Sequence, residues 1–127
     1  MNDQTRNIHY GNGTSAQCDY PGRQTKINGK SHQWYRFQAP AGYKMPDTPP
    51  SLNGHKCGTH GSGYLVGGHP RKAGQVVSRK VCFSYNGHKC YADSLRSADV
   101  KVTHCGSFFV YQLPHSKYGC AYRYCAE

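Results

Sequence analysis

Residues 77–125 read VSRKVCFSYNGHKCYADSLRSADVKVTHCGSFFVYQLPHSKYGCAYRYC, and five of the chain's seven cysteines fall among them, at Cys82, Cys90, Cys105, Cys120 and Cys125. These cysteines separate short β-branched and aromatic runs, and no CxxC pair occurs. Such spacing reads as a disulfide framework and lacks the ligand pairs of a structural zinc site. The runs at residues 75–83, 100–104, 107–113 and 120–125 have the composition of strands. Residues 91–99, YADSLRSAD, show little apolar periodicity and allow either a turn or two of helix or a loop. The stretch predicts a mainly β domain stapled by disulfides, with long loops and at most one short helix, a small α+β arrangement being the alternative.

Ile, Leu, Val and Phe supply only 17 of 127 residues, too few for an oily interior to hold the fold alone. Seven cysteines and eleven tyrosines make up the difference. Each long-loop disulfide contributes about 2–4 kcal/mol by restricting the unfolded chain, and each tyrosine buries a large ring. Disulfides on this scale imply an oxidising compartment, hence a secreted, extracellular protein. No apolar run follows Met1, so no signal peptide is visible and the chain reads as a mature or recombinant form. No stretch approaches the roughly 18 apolar residues of a membrane span, so no membrane insertion is expected. The net charge of +10 favours anionic or polar partners.

Residues 1–32 are polar and turn-rich and read as a loosely ordered N-terminal arm with at most one hairpin, ahead of a cysteine-rich domain at residues 33–127. Asn12 begins an Asn-Gly-Thr glycosylation sequon. Residues 32–38, HQWYRFQ, form the first expected strand, with Trp34 and Arg36 on one face and Tyr35 and Phe37 on the other. One aromatic pair should face the core, and Trp34, the sole tryptophan, reads as structural. Prolines make residues 39–50 irregular. Residues 51–70 are a glycine-rich loop carrying His55, His60 and His69, a candidate ligand loop. The string NGHKC occurs at residues 53–57 and 86–90, where Asn-Gly supplies a positive-φ turn and a bridged cysteine anchors the strand just after it.

The chemistry available is narrow. His88, Cys90, His104 and Cys105, or Cys57 with His60, lack zinc-ligand spacing. Cys105 follows His104 directly, but neighbours on a strand point to opposite faces, which argues against a thiolate–imidazole pair. Only Asp3, Asp19, Asp47, Asp93, Asp99 and Glu127 are acidic, too few for paired-carboxylate hydrolysis or a well-supplied calcium site. Asp93 and Asp99 with loop carbonyls are the calcium alternative, which is not favoured. No enzyme and no cofactor is expected. The basic residues are dispersed, which argues against nucleic acid. Sugar recognition fits best, because it needs aromatic faces and fixed hydrogen-bonding groups on loops. The candidate constellation is Tyr64, His69, Tyr85, Asn86, His88, Tyr91 and Asp93.

Several strings carry a resemblance: Gln33-Trp34-Tyr35-Arg36-Phe37, Met45 with Asp47-Thr48, Val77-Ser78-Arg79-Lys80-Val81-Cys82, Gly87-His88-Lys89-Cys90, Val100-Lys101-Val102-Thr103-His104-Cys105, Phe109-Val110-Tyr111-Gln112-Leu113 and Cys120-Ala121-Tyr122-Arg123-Tyr124-Cys125. In collinear order from Gln33 to Glu127 they resemble the uromodulin-like cysteine-rich domain that precedes the polymerisation (zona pellucida) module of uromodulin and the zymogen-granule membrane glycoprotein. The resemblance implies an extracellular, non-enzymatic, adhesive role, and disulfides Cys82–Cys90, Cys57–Cys125 and Cys18–Cys105. Pro49 and Lys89 replace two mutually bonded family cysteines, and the family partner of Cys120 is absent. Cys120 is therefore the nominee for an intermolecular disulfide. Val66-Gly67-Gly68 replaces the family's glycosylated NGT, and neither that glycan's role nor the filament-forming role of a polymerisation module is expected here. The expectation is a lectin-like protein binding glycans or glycoproteins as a disulfide-linked homodimer. The alternative is a structural or matrix protein that adheres to polyanionic surfaces by charge, with no defined sugar site.

Overall fold

The computed structural model describes residues 1–10, 18–19, 33–90, 97–115 and 121–127. They form a mainly β fold with a single six-stranded sheet and, among the described residues, no α-helix. The strands are β1 (Gln33–Tyr35), β2 (Gly61–Val66), β3 (Val76–Ser84), β4 (Ser97–His104), β5 (Phe109–Leu113) and β6 (Tyr122–Tyr124), in the spatial order β1-β5-β4-β3-β2-β6. Neighbours are antiparallel except β2 and β6, which run parallel.

Alternation along each strand assigns the two faces. Val81, Ala98, Val100, Val102, Tyr111 and Leu113 point inward and are buried, while Ser78, Lys80, Asp99 and Lys101 point outward. Residues 37–50 cross the inner face, where Phe37, Ala41 and Met45 complete the core with Leu65, Phe83, Tyr122 and Tyr124. Fully burying one of these aliphatic side chains stabilises the fold by about 1.5–3 kcal/mol. The aromatics add geometry: Phe37 meets Tyr111 edge-on at 5.3 Å, and Phe83 stacks on Tyr122 at 5.0 Å. Two disulfides, Cys57–Cys125 and Cys82–Cys90, tie the loops to this sheet.

Several elements differ from the sequence expectation. Residues 61–66 were expected in a loop but form β2, the inner strand between β3 and β6. Glycine is required there: a Cβ on Gly61 would collide with the Tyr122 ring, and one on Gly63 would lie 2.8 Å from the Arg123 carbonyl. The helical alternative for residues 91–99 fails at Ser97, Ala98 and Asp99, which extend β4; the rest of that segment lies outside the described residues. The N-terminal segment is docked where it is described. A 3-10 turn, Gln4–Arg6, sends Arg6 into the interior, where it pairs with Asp19. Arg123 on β6 reaches across to Asp3 and Thr5. Trp34 is not a core residue: Tyr35 and Phe37 take the inner face, and Trp34 is 45% exposed.

Candidate functional site

The residues expected to bind sugar are not assembled in one place. Tyr64 is buried in β2, and its hydroxyl donates to the Lys89 carbonyl at 2.9 Å beneath the Cys82–Cys90 loop. Tyr85 and His88 are the outer positions of the tight turn whose centre is Asn86-Gly87, with φ of 51° and 80°, the Asn-Gly turn expected from the sequence. The Tyr85 ring leans on His55 and His60, at 5.9 and 6.2 Å, and so packs against the 51–60 loop. His69 lies beyond the opposite end of β2. Six residues of strand, roughly 20 Å, separate it from the Tyr85 turn. Its Nε2 meets the Tyr111 hydroxyl at 2.8 Å and its ring packs on Phe109 at 4.5 Å. Tyr91 and Asp93 lie outside the described residues, as do the sequon at Asn12 and Cys120.

The cysteine assignments need one correction. Cys105 is a free, exposed thiol, whereas Cys18 is buried and bonded elsewhere, so the Cys18–Cys105 bridge is not formed. The topology explains why. Cys105 opens the turn between β4 and β5, its N–H donating to the Phe108 carbonyl at 2.8 Å. Cys18 precedes Asp19, which is bonded to β6 at the far edge of the sheet.

A better-formed surface lies on the outer face of the sheet. Trp34 stands opposite Gln112, Gln112 opposite Lys101, and Lys101 opposite Ser78, a continuous row across four strands. A second row sets Asp99 opposite Lys80 and Lys80 opposite Val66. Three inter-strand steps of about 4.8 Å make the first row roughly 14 Å long, the reach of two or three pyranose rings. A shallow groove of about 520 Å³ runs from Val66 to Gln112 over Ser78, Lys80, Asp99 and Lys101, and Trp34 stands one strand beyond its Gln112 end. At the Trp34 end, Arg36 sits over the Phe108 ring at 3.8 Å. Asp99 is almost fully exposed and only loosely paired with Lys80, at 3.9 Å.

This face carries an aromatic plate, an amide, two ammonium groups, a hydroxyl and a carboxylate, all on rigid strands. The set supplies donors and acceptors for sugar hydroxyls beside a surface on which a ring's C–H face can stack. The sequence reading missed it because Trp34 was read as structural. The alternating pattern of residues 32–38 and 109–113 contained the signal: once Phe37 and Tyr111 are placed inside, Trp34 and Gln112 must emerge together. Among the described residues, no group of three or more His, Cys, Asp or Glu side chains is placed to hold a metal ion. No helix among them is long and apolar enough to cross a membrane.

Known proteins share this sequence pattern. The family model for the uromodulin-like domain matches residues 35–126. The chain is 31% identical over 131 residues to the mouse pancreatic secretory granule membrane major glycoprotein GP2, covering all of this chain and 22% of that protein. It is 31% identical over 129 residues to rat uromodulin, covering all of this chain and 17% of that protein. The dog glycoprotein GP2 is 35% identical over 97 residues, 76% of this chain and 18% of that protein. The chain thus spans about a fifth of the length of these relatives.

Proposed function

Because the chain belongs to the uromodulin-like domain family, we propose that it is an extracellular, lectin-like module that binds glycans without catalysis, and that the outer sheet face is its binding surface. The observation that carries this reading is Trp34. A lone tryptophan in a chain poor in aliphatics has every energetic reason to be buried. Here it is 45% exposed and stands at the head of a row of polar side chains on rigid strands. An aromatic that forgoes burial beside fixed donors and acceptors is the arrangement a saccharide ring needs. The matched GP2 proteins are by name glycoproteins, which supports an extracellular setting.

A glycan array read across a salt titration tests the proposal. Saturable binding to particular neutral glycans, insensitive to salt and lost in Trp34→Ala, supports it. Binding confined to polyanions, fading with salt and indifferent to Trp34, would transfer the function to charge-driven adhesion through the +10 field. Pairing two weak sites raises avidity. The covalent homodimer is part of the proposal, and Cys105, exposed and free at the β4–β5 turn, is its bridging residue.

A further inference from the structure

His69 lies between two polar hollows of about 480 and 410 Å³ that share its ring, Gly67, Pro70 and Arg71. Their walls carry Lys44, Arg71, Lys72 and Arg79, with Asp47 the one acidic group among the described residues that line them. The cations are presented from ordered backbone. The Gln75 side-chain carbonyl accepts the N–H groups of Arg71 and Lys72, at 3.2 and 3.4 Å, and fixes that turn. Arg79 is held by bonds from Nε to the Gly68 carbonyl and from Nη1 to the Ser78 carbonyl. Gly67, at φ 96°, leaves room for it: a Cβ there would lie 2.8 Å from the Arg79 side chain. Lys44 is shared with Glu127, at 3.4 Å.

At the floor, the Tyr111 hydroxyl accepts the Met45 N–H at 3.0 Å and is hydrogen-bonded to His69 Nε2 at 2.8 Å. The His69 imidazole is neutral near pH 7. Burial, reinforced by Lys44 and opposed by Asp47, holds its pKa down at about 4. The hollows thus combine four cationic side chains with a neutral imidazole and an aromatic floor of His69 on Phe109.

We propose that these hollows form a site for the anionic substituent, sulfate or carboxylate, of a saccharide. The cations supply charge-assisted hydrogen bonds to the oxyanion, and the His69–Phe109 floor receives the adjoining sugar ring. The identity of the bearer rests on the glycan reading above; the anion preference does not depend on the Trp34 surface, which lies on the other face of the sheet.

The test is an NMR titration of the isotope-labelled protein at fixed ionic strength with 6-sulfo-N-acetyllactosamine and 3′-sialyllactose, alongside their uncharged parents N-acetyllactosamine and lactose. At least one anionic sugar should bind about tenfold or more tightly than its parent, with shifts at His69 and residues 67–72. Arg71→Ala with Lys72→Ala, two exposed positions, should remove that gain without changing thermal stability. A gain that survives the double variant, or that falls equally in Lys101→Ala on the outer face, overturns the site in favour of a diffuse field. If the parents bind through Trp34 and the anion adds nothing, this site alone is refuted. If none of the four sugars binds, the glycan reading itself fails.

Discussion

Arg6 and Asp19, thirteen residues apart in the chain, close a two-pronged ion pair in the interior: Nη1 to Oδ2 at 2.9 Å and Nη2 to Oδ1 at 2.6 Å, with side chains 2% and 0% exposed. The same carboxylate accepts the Tyr124 N–H at 2.9 Å, so the pair joins the N-terminal segment to the last strand. Asp19→Asn should cost about 3–5 kcal/mol in urea unfolding, because it strands a buried guanidinium. Replacing both partners with apolar residues should cost less than either single change. A single-variant cost below about 1 kcal/mol would show that the pair is not the anchor described. Burial alone would push the Asp19 pKa up, but the Arg6 charge and the hydrogen bonds from Arg6 and Tyr124 overcome this and hold it below its ordinary value. Stability from the pair is therefore present above about pH 4 and disappears as pH falls through the depressed folded value.

His69 gives a second acid dependence, at a higher pH. Its native pKa of about 4 lies well below the value of about 6.5 it takes in the unfolded chain. Unfolded molecules therefore bind the extra proton first. The stability attached to neutral His69 is present above about pH 6.5 and is lost as pH falls towards 4. An imidazole NMR titration with a midpoint near 6.5 would contradict the half-buried, Tyr111-bonded placement. His69→Phe should flatten this limb of the stability profile while leaving the steeper loss below about pH 4.

The two disulfides whose cysteines are both described should differ in worth by the loops they close. Cys57–Cys125 spans 68 residues and Cys82–Cys90 spans 8. In the chain-entropy account, removing the first as a pair of alanines costs about 4.4 kcal/mol and the second about 2.6 kcal/mol. Denaturant titration of the two double variants measures this, and a reversal of the order would mean that loop closure is not the dominant contribution.

Cys105, the free thiol among the described residues, should be alkylated when the native protein is treated with iodoacetamide and mapped by mass spectrometry. Oxidised glutathione should drive wild type to a covalent dimer by thiol–disulfide exchange, and Cys105→Ser should run as monomer on a non-reducing gel. A covalent dimer persisting in that variant would remove Cys105 from the bridging role.

Local pattern made some of these elements legible and hid others. Strand β3 was readable because Val77, Arg79 and Val81 alternate with Ser78 and Lys80 ahead of Cys82, and β5 because Phe109, Val110, Tyr111 and Leu113 form a short, mostly apolar run bounded by turn residues. Strand β2 was not, because Gly61 and Gly63 look like loop residues; they are glycines because Tyr122 and Arg123 press against them, a fact about β6 that local sequence does not carry. The Arg6–Asp19 pair was not legible, since nothing local announces a partner thirteen residues away. The sugar constellation was scattered for a related reason. Tyr64 and Tyr85 are filling space that aliphatic residues would otherwise occupy, and composition cannot tell a tyrosine that packs from one that greets a ligand.

The parallel pairing of β6 with β2 also orders events during synthesis. Gly61 meets Tyr122 and Gly63 meets Tyr124, and beside them Asn7 bridges Ala126, so one margin of the sheet is built from segments that leave the ribosome far apart in time. Until residue 126 has emerged, β2 presents an unoccupied hydrogen-bonding edge and the Arg6 guanidinium lacks the Tyr124 carbonyl it will bind. Closure is thus a late event of high contact order, and the nascent chain must be shielded from strand-to-strand association in the interval.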